Sequence, residues 1–216
     1  MIQVSMIDRM GSDLSVVNAA RVSFSKVKIE IDKSDERLIN YLSKHNHWSP
    51  FAHTCAQFHI RAPIFIARQL AKHQVGLVWN EVSRRYVSSE PVAWHSEKND
   101  RHWHWRKEAD DKKQGSLEEP IPSQNVIDHM YQDACRHAID AYNSMIKQGV
   151  CPEQARAVLP QSTYTEWYWT GSVYAFSRVC KLRIAEDAQR ETRHVAEQIG
   201  ERMKIDFPLS WKALLS

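Results

Sequence analysis

Glycine is scarce in this chain, with six in 216 residues. It contains neither G-x-G-x-x-G nor the G-x-x-x-x-G-K-[ST] of a P-loop, so both glycine-rich phosphate cradles are missing. A dinucleotide, if one binds, is held without the Rossmann fingerprint. G-x-S-x-G is also missing, which leaves no sign of a nucleophile elbow. The four cysteines, Cys55, Cys135, Cys151 and Cys180, form no C-x-x-C pair, which argues against a zinc ribbon or a thioredoxin-type motif. They read as small hydrophobes in a reducing compartment rather than as nucleophiles. The opening MIQVSMIDRM lacks the apolar core of a signal peptide, and no apolar run reaches membrane-spanning length. The expectation is a cytoplasmic protein with no membrane partner. A net charge of +3 is too small to call for nucleic acid by itself, so any basic site is local.

What is present is ordinary globular usage, 43% hydrophobic and 25% charged, in a length that suits one domain or two small ones. Ile2, Val4 and Met6 alternate as a short opening strand. Ser12 caps a helix over DLSVVNAARVS. KVKIEI at 26–31 alternates like a second strand, and a helix begins at Ser34. TCAQFHIRA alternates as a strand with one polar side. Pro63 then opens a helix, IFIARQLAKHQ, on which Arg68 and Lys72, and Gln69 and His73, are four apart on one polar face. YVSSEPVAW reads as a strand. Residues 95–120, charged and without aliphatic period, read as an exposed loop or insertion. Ser123 caps a long helix whose apolar stripe is Val126, Ile127, Met130, Tyr131, Ala134, Ala138, Ala141 and Met145. A short helix, EQARAVL, and a strand, STYTEWYWT, follow. Helix then runs from Val173 to Ile205, broken near Lys181-Leu182-Arg183 and ended by Pro208. This mixture of helices and strands is α+β.

The densest chemistry lies in residues 72–86, KHQVGLVWNEVSRRY. Two readings fit: a solvated, salt-bridged face, or a site for an anion. Arginine, a serine hydroxyl and backbone N–H groups are the usual grip on a phosphate, and a short polar connector between rigid elements is where ligands are held. Arg156 in QARAVLP and Arg183 at the helix break are further candidates, because a buried arginine needs an anion. Either could instead pair with Glu153 or Glu186. His45-x-His47 and His102-x-His104 lack further ligands at metal spacing, so no metal site is expected. RHWHWR could stack on bases, but acids surround it.

The residues carry a resemblance beyond these arguments. Lys72-His73-Gln74 followed by Asn80-Glu81-Val82-Ser83-Arg84-Arg85-Tyr86 is similar to the signature of the flavin-dependent thymidylate synthases, the ThyX family. DLSVVNAARVSF, KHNHWSPFAH, FHIRAPIFIARQ, EQARAVLPQSTYTEWYWT and LRIAEDAQRE extend the likeness over most of the chain in order. The sequence departs from the pattern in four ways. Lys72 and Gln74 replace the two signature arginines. The spacer is one residue longer. Gly76-Leu77-Val78 stand where a serine is usual, and Ala52 stands where many members have an acid.

The resemblance implies a single domain over 1–216, with a mainly antiparallel mixed sheet flanked by helices. It implies reductive methylation of dUMP to dTMP, with methylenetetrahydrofolate giving the carbon and NADPH giving a hydride through FAD. It also implies a homotetramer with intersubunit active sites. Carried over residue by residue, Gln69, Lys72, Glu81, Ser83, Arg84, Arg85, Arg156 and Arg183 would hold dUMP. Arg183, Lys72 and Ser83 would serve the chemistry, Arg183 and Lys72 by stabilising negative charge as C5 becomes nucleophilic. Ser23, His47, Ser49, His73, Gln74, Asn80, Glu81 and Arg178 would contact FAD. Neither Ser83 nor any cysteine is a covalent nucleophile in this reading. The competing reading is a nucleotide or single-stranded nucleic-acid binding protein without catalysis.

Overall fold

The computed structural model describes residues 1–87, 89–95, 104–109 and 115–216. In chain order its elements are β1 (Gln3–Met10), α1 (Asp13–Arg21), α2 (Lys33–Lys44), β2 (Cys55–Pro63), α3 (Ile64–Leu70) and β3 (Leu77–Glu81). Then come β4 (Arg106–Glu108), β5 (Ser116–Pro120), α4 (Gln124–Lys147), α5 (Pro152–Ala155), β6 (Tyr164–Gly171), α6 (Val173–Arg183), α7 (Arg190–Asp206) and α8 (Pro208–Leu215). The fold is α+β with antiparallel sheets. One sheet has the order β1-β2-β6-β3 and the other pairs β4 with β5. Two compact units are distinguished: Met1–Gln3, Arg61–Leu70 and Glu81–Trp167 form the first, and Val4–Ile60, Ala71–Asn80 and Tyr168–Ser216 form the second.

In the second unit, the alternation of β2 and β6 turns Phe58 and Trp169 inward. Both meet Phe176 of α6 edge-on, at ring-centroid distances of 5.0 and 5.4 Å. Val16 and Val17 of α1, Ile39 of α2, and Val195, Ile199 and Met203 of α7 are buried with them. Each such side chain stabilises the fold by about 1.5–3 kcal/mol. Asp13, at the start of α1, is buried, and its carboxylate accepts the Leu209 and Ser210 N–H groups, each at 2.9 Å. It thereby caps α8. Pro208 therefore opens a helix where the sequence predicts an end, because proline fits the first turn, whose N–H groups have no intrahelical partner.

The alternating 26–31 stretch is not a strand. The Asn18 side chain takes both backbone groups of Lys28, donating to its carbonyl at 2.9 Å and accepting its N–H at 2.8 Å. Val27 and Ile29 remain exposed. Lys28 also bonds Asp32 and, at 2.7 Å, Asp35. Arg21 reaches Asp35 at 2.6 Å. Burial pushes the Asp35 carboxyl upward, but Lys28, the Asp32 N–H and Arg21 outweigh it and hold it below the usual carboxylate range. Asp32, rather than Ser34, caps α2, accepting the Ser34 and Asp35 N–H groups.

In the first unit, α3 is fixed at its start by Ile64 N–H donating to Thr163 O at 2.9 Å and Phe65 N–H donating to Gln161 O at 3.0 Å. It stops at Leu70, four residues before the predicted end at Gln74, so Lys72 and His73 are not on a helical face. The following turn closes with Leu77 N–H on Gln74 O, and Gly76 takes a φ of +75°, a left-handed conformation that cannot continue a helix. Among the described residues of 86–94 there is a bridge, Ala93 to Thr163, and no strand; the strand of this region is β3 instead.

Within 95–120, β4 and β5 pair antiparallel, Arg106 opposite Pro120 and Glu108 opposite Ser116. Residues 101–103 of the RHWHWR run lie outside the described residues. Trp105 is no free stacking platform: its Nε1 donates to Asp128 at 2.6 Å and its ring stands edge-on to Tyr131 at 5.2 Å. Cys135 and Tyr142 are the buried residues of α4, while Val126, Met130, Ala134 and Ala141 of the expected stripe are exposed. Among the thiols, Cys135 and Cys180 are buried, Cys55 is half-buried and Cys151 is exposed. Among the described residues, no helix is long and apolar enough to cross a membrane.

Candidate active site

In the first unit the corner after β3 collects Glu81, Ser83, Arg84 and Arg85. Val82 N–H donates to Glu166 O on β6 at 2.9 Å, which clips the corner to the strand. The Ser83 carbonyl accepts the Tyr86 and Val87 N–H groups. The Ser83 hydroxyl accepts the Arg85 N–H at 3.4 Å and Arg85 Nε–H at 3.3 Å. Ser83 is thus a turn residue that aims the exposed Arg85. Arg84 reaches back to the Ser89 carbonyl at 2.8 Å. Thr165, in β6, donates to Glu81 Oε1 at 2.8 Å.

Gln69, on α3, is half-buried, and its Oε1 is buried without a partner among the described residues. A buried carbonyl oxygen left unpaired costs about 1–3 kcal/mol until a donor arrives. Arg156 is exposed and donates to the Glu153 carbonyl at 3.3 Å rather than to a carboxylate. It is therefore not the buried, internally paired arginine that its apolar neighbours suggest.

In the second unit the turn Ala71–Gly76 carries Lys72, His73 and Gln74, with Lys72 and Gln74 exposed. Arg183, half-buried at the end of α6, donates from Nε to His73 Nε2 at 2.9 Å. A guanidinium has no acceptor, so this geometry requires His73 to be neutral, with its proton on Nδ1. Burial, followed by the charges of Arg183 and Arg178, holds the His73 pKa below its ordinary value. Burial also lowers that of Arg183, which stays a cation at neutral pH. Arg183 meets this imidazole and not Glu186.

His47 and the exposed Arg178 line a cleft of about 90 Å³ with Trp48, Tyr174 and Lys181. The Trp48 and Tyr174 rings lie 6.0 Å apart. The lining combines basic and aromatic side chains, which suits a phosphate or one ring face of a flavin. Ligand pockets for drug-sized molecules run to about 300–1,000 Å³, so it holds only part of a dinucleotide. Asn80 is exposed on β3, Ser23 is exposed in a 3-10 turn (Val22–Phe24), and Ser49 opens another (Ser49–His53). Neither serine lines the cleft. Among the described residues, no group of three or more His, Cys, Asp or Glu side chains is placed to hold a metal.

The model of the family described as thymidylate synthase complementing protein matches residues 5–209. The chain belongs to the flavin-dependent thymidylate synthase family. A flavin-dependent thymidylate synthase of Thermus thermophilus is 37% identical over 210 residues, covering 97% of this chain and 74% of that protein. One from Thermosipho africanus is 34% identical over 212 residues, covering 97% and 89%. A crystal structure of the UMP/dUMP methylase PolB from Streptomyces cacaoi, bound with 5-Br UMP, superposes with a TM-score of 0.86 at 30% identity, covering 100% of this chain and 94% of that one.

Sequence reasoning missed two residues that hold the parts this family signature supplies. Thr165 was visible only as one member of an alternating strand. Gly171, at the end of β6, leaves room for the 72–77 turn: a Cβ there would stand 2.8 Å from the Gly76 carbonyl oxygen.

Proposed function

We propose that the whole chain acts as one catalytic domain that converts dUMP to dTMP in the cytoplasm. Methylenetetrahydrofolate is the carbon donor, NADPH the reductant and FAD the cofactor, and the working form is a homotetramer. The observation that carries this reading is the half-buried Arg183 guanidinium whose partner is a neutral imidazole, not a carboxylate. Such a cation keeps its full charge for an anionic ligand or for charge that develops on one.

Arg85, aimed by Ser83, with Arg84 and Arg156, meets the dianionic phosphate of dUMP. Gln69 offers its unpaired Oε1 to a donor on the nucleotide. Arg183 and Lys72 stabilise negative charge on the uracil ring as C5 becomes nucleophilic, so no covalent nucleophile is required of Ser83 or of any cysteine. Glu81 and Asn80 orient the ligands. His47, Ser49, His73, Gln74, Arg178 and Ser23 form the FAD side, with His47 and Arg178 sharing the basic aromatic cleft. The chemistry FAD supplies when bound is hydride transfer from NADPH. A cleft smaller than a dinucleotide favours an assembly in which other copies complete the cofactor site. The packed Trp105 weighs against the nucleic-acid reading.

The test is dTMP formation by the purified protein with dUMP, methylenetetrahydrofolate, NADPH and FAD, each omitted in turn. Product that requires all four supports the reading. Replacing Arg183 by Ala is expected to abolish turnover while flavin absorbance on the protein is largely retained. Near-normal turnover of that variant would remove Arg183 from the chemistry.

A further inference from the structure

We infer that Thr165 is a positioning residue for nucleotide binding, acting through the Glu81 carboxylate. The inference rests on the reading of Glu81 as a substrate-binding residue. Thr165 is 8% exposed, on the same face of β6 as the buried Trp167 and Trp169. Its hydroxyl donates to Glu81 Oε1 at 2.8 Å, while the next amide, Val82 N–H, donates to Glu166 O at 2.9 Å. Side chain and backbone of the 81–82 corner are therefore both clipped to one strand. A buried hydroxyl on a strand restricts the rotamers open to the exposed glutamate whose Oε1 it meets.

Thr163, two residues before Thr165 and fully buried, has an Oγ1 with no partner among the described residues. The local structure thus tolerates an unpaired threonine hydroxyl. The Thr165 bond serves the carboxylate more than the hydroxyl.

The chemistry of Glu81 narrows what it can face. A carboxylate repels a phosphate and accepts from donors, so on dUMP its partner is a sugar hydroxyl or the ring N–H. That contact is present in ground state and transition state alike. Loosening it raises KM for dUMP with kcat little changed.

The experiment is steady-state kinetics of the FAD-loaded enzyme, varying dUMP, for Thr165→Val, Thr165→Ser, Glu81→Gln and the Thr165→Val/Glu81→Gln pair. Thr165→Val keeps shape and removes the hydroxyl. It is expected to raise KM about tenfold, as one charge-assisted hydrogen bond allows. Thr165→Ser, which keeps the donor, is expected to lie within about twofold of wild type. On the Glu81→Gln background, Thr165→Val should add little, because its effect passes through Glu81. If Glu81→Gln raises KM but Thr165→Val does not, or if the two effects simply add, the positioning role is wrong. If Glu81→Gln leaves KM unchanged, the reading of Glu81 fails instead. Should the valine variant not fold, Thr165→Ala removes the same donor and carries the same comparison.

Discussion

Replacing Gly171 by Ala tests how the turn that carries Lys72, His73 and Gln74 is held. A Cβ on Gly171 would lie 2.5 Å from Leu77 Cδ2, 3.3 Å from Leu77 Cγ and 2.8 Å from the Gly76 carbonyl oxygen. The leucine methyl can rotate away. The carbonyl is a backbone atom and can give way only if the turn moves with it, a turn in which Gly76 already takes a φ of +75°. Carbon–oxygen contacts settle near 3.3–3.6 Å, so the turn must retreat by about 0.5 Å. Overpacking of this kind costs about 1–3 kcal/mol. For a chain of this length each kcal/mol lowers Tm by about 2–4 °C, so a fall of about 6 °C is expected. The same retreat stretches the 2.9 Å Arg183–His73 bond toward the limit of hydrogen bonding. Misplacement by about 1 Å can reduce turnover on the order of a hundredfold, so about tenfold is expected here. Thermal unfolding followed by circular dichroism, with dTMP formation on the same preparation, reads both effects. An alanine variant with wild-type Tm and turnover would refute the idea that Gly171 sets the position of the turn.

Three further outcomes follow from described contacts. Asp13→Ala removes two bonds to the first N–H groups of α8 and leaves buried donors unpaired. It should cost about 2–3 kcal/mol, read as a lower denaturant midpoint at unchanged slope. His73 has a lowered folded pKa, so the unfolded chain, near 6.5, takes up the proton first. The stability it contributes is present above about pH 6.5 and is lost as pH falls through the folded value. Wild type should therefore lose Tm on acidification more steeply than His73→Gln, and parallel profiles would contradict the neutral imidazole. Trp105→Phe keeps an aromatic ring but loses the indole N–H and its 2.6 Å bond to Asp128. Faster amide exchange in β4 and β5, with Tm falling only slightly, is the expected result.

Periodicity made β2, β6 and α1 legible, because each buries one side along a single element, whereas in α4 it marked the helix but not its buried residues, Cys135 and Tyr142. It failed at 26–31 for a reason outside the pattern: Asn18, ten residues earlier, takes the backbone groups that a neighbouring strand would need. Pro208 was ambiguous in principle, since proline both ends helices and begins them, and the deciding group, Asp13, is nearly two hundred residues away. The site shows the same division. Lys72 to Tyr86 stood out because its charges are adjacent in the chain. Thr165 and Gly171 carried no signal, since a threonine or glycine in a strand looks alike whatever it faces. The Thr165–Glu81 contact spans 84 residues. Arg156 misled because an arginine among apolar neighbours looks buried, whereas its short helix turns it outward.

The distribution of thiols has a practical consequence for following binding. Burial raises the pKa of Cys55 and Cys180, and Cys135 is enclosed beside Ser162. Only the exposed Cys151 combines access with an ordinary surface setting. A maleimide dye added briefly at neutral pH should therefore attach at one place in the native chain, with no cysteine removed. That place caps the short helix leading to Arg156, so if Arg156 meets the dUMP phosphate as proposed, the dye's emission would change on nucleotide binding without turnover, and unchanged emission would count against that role.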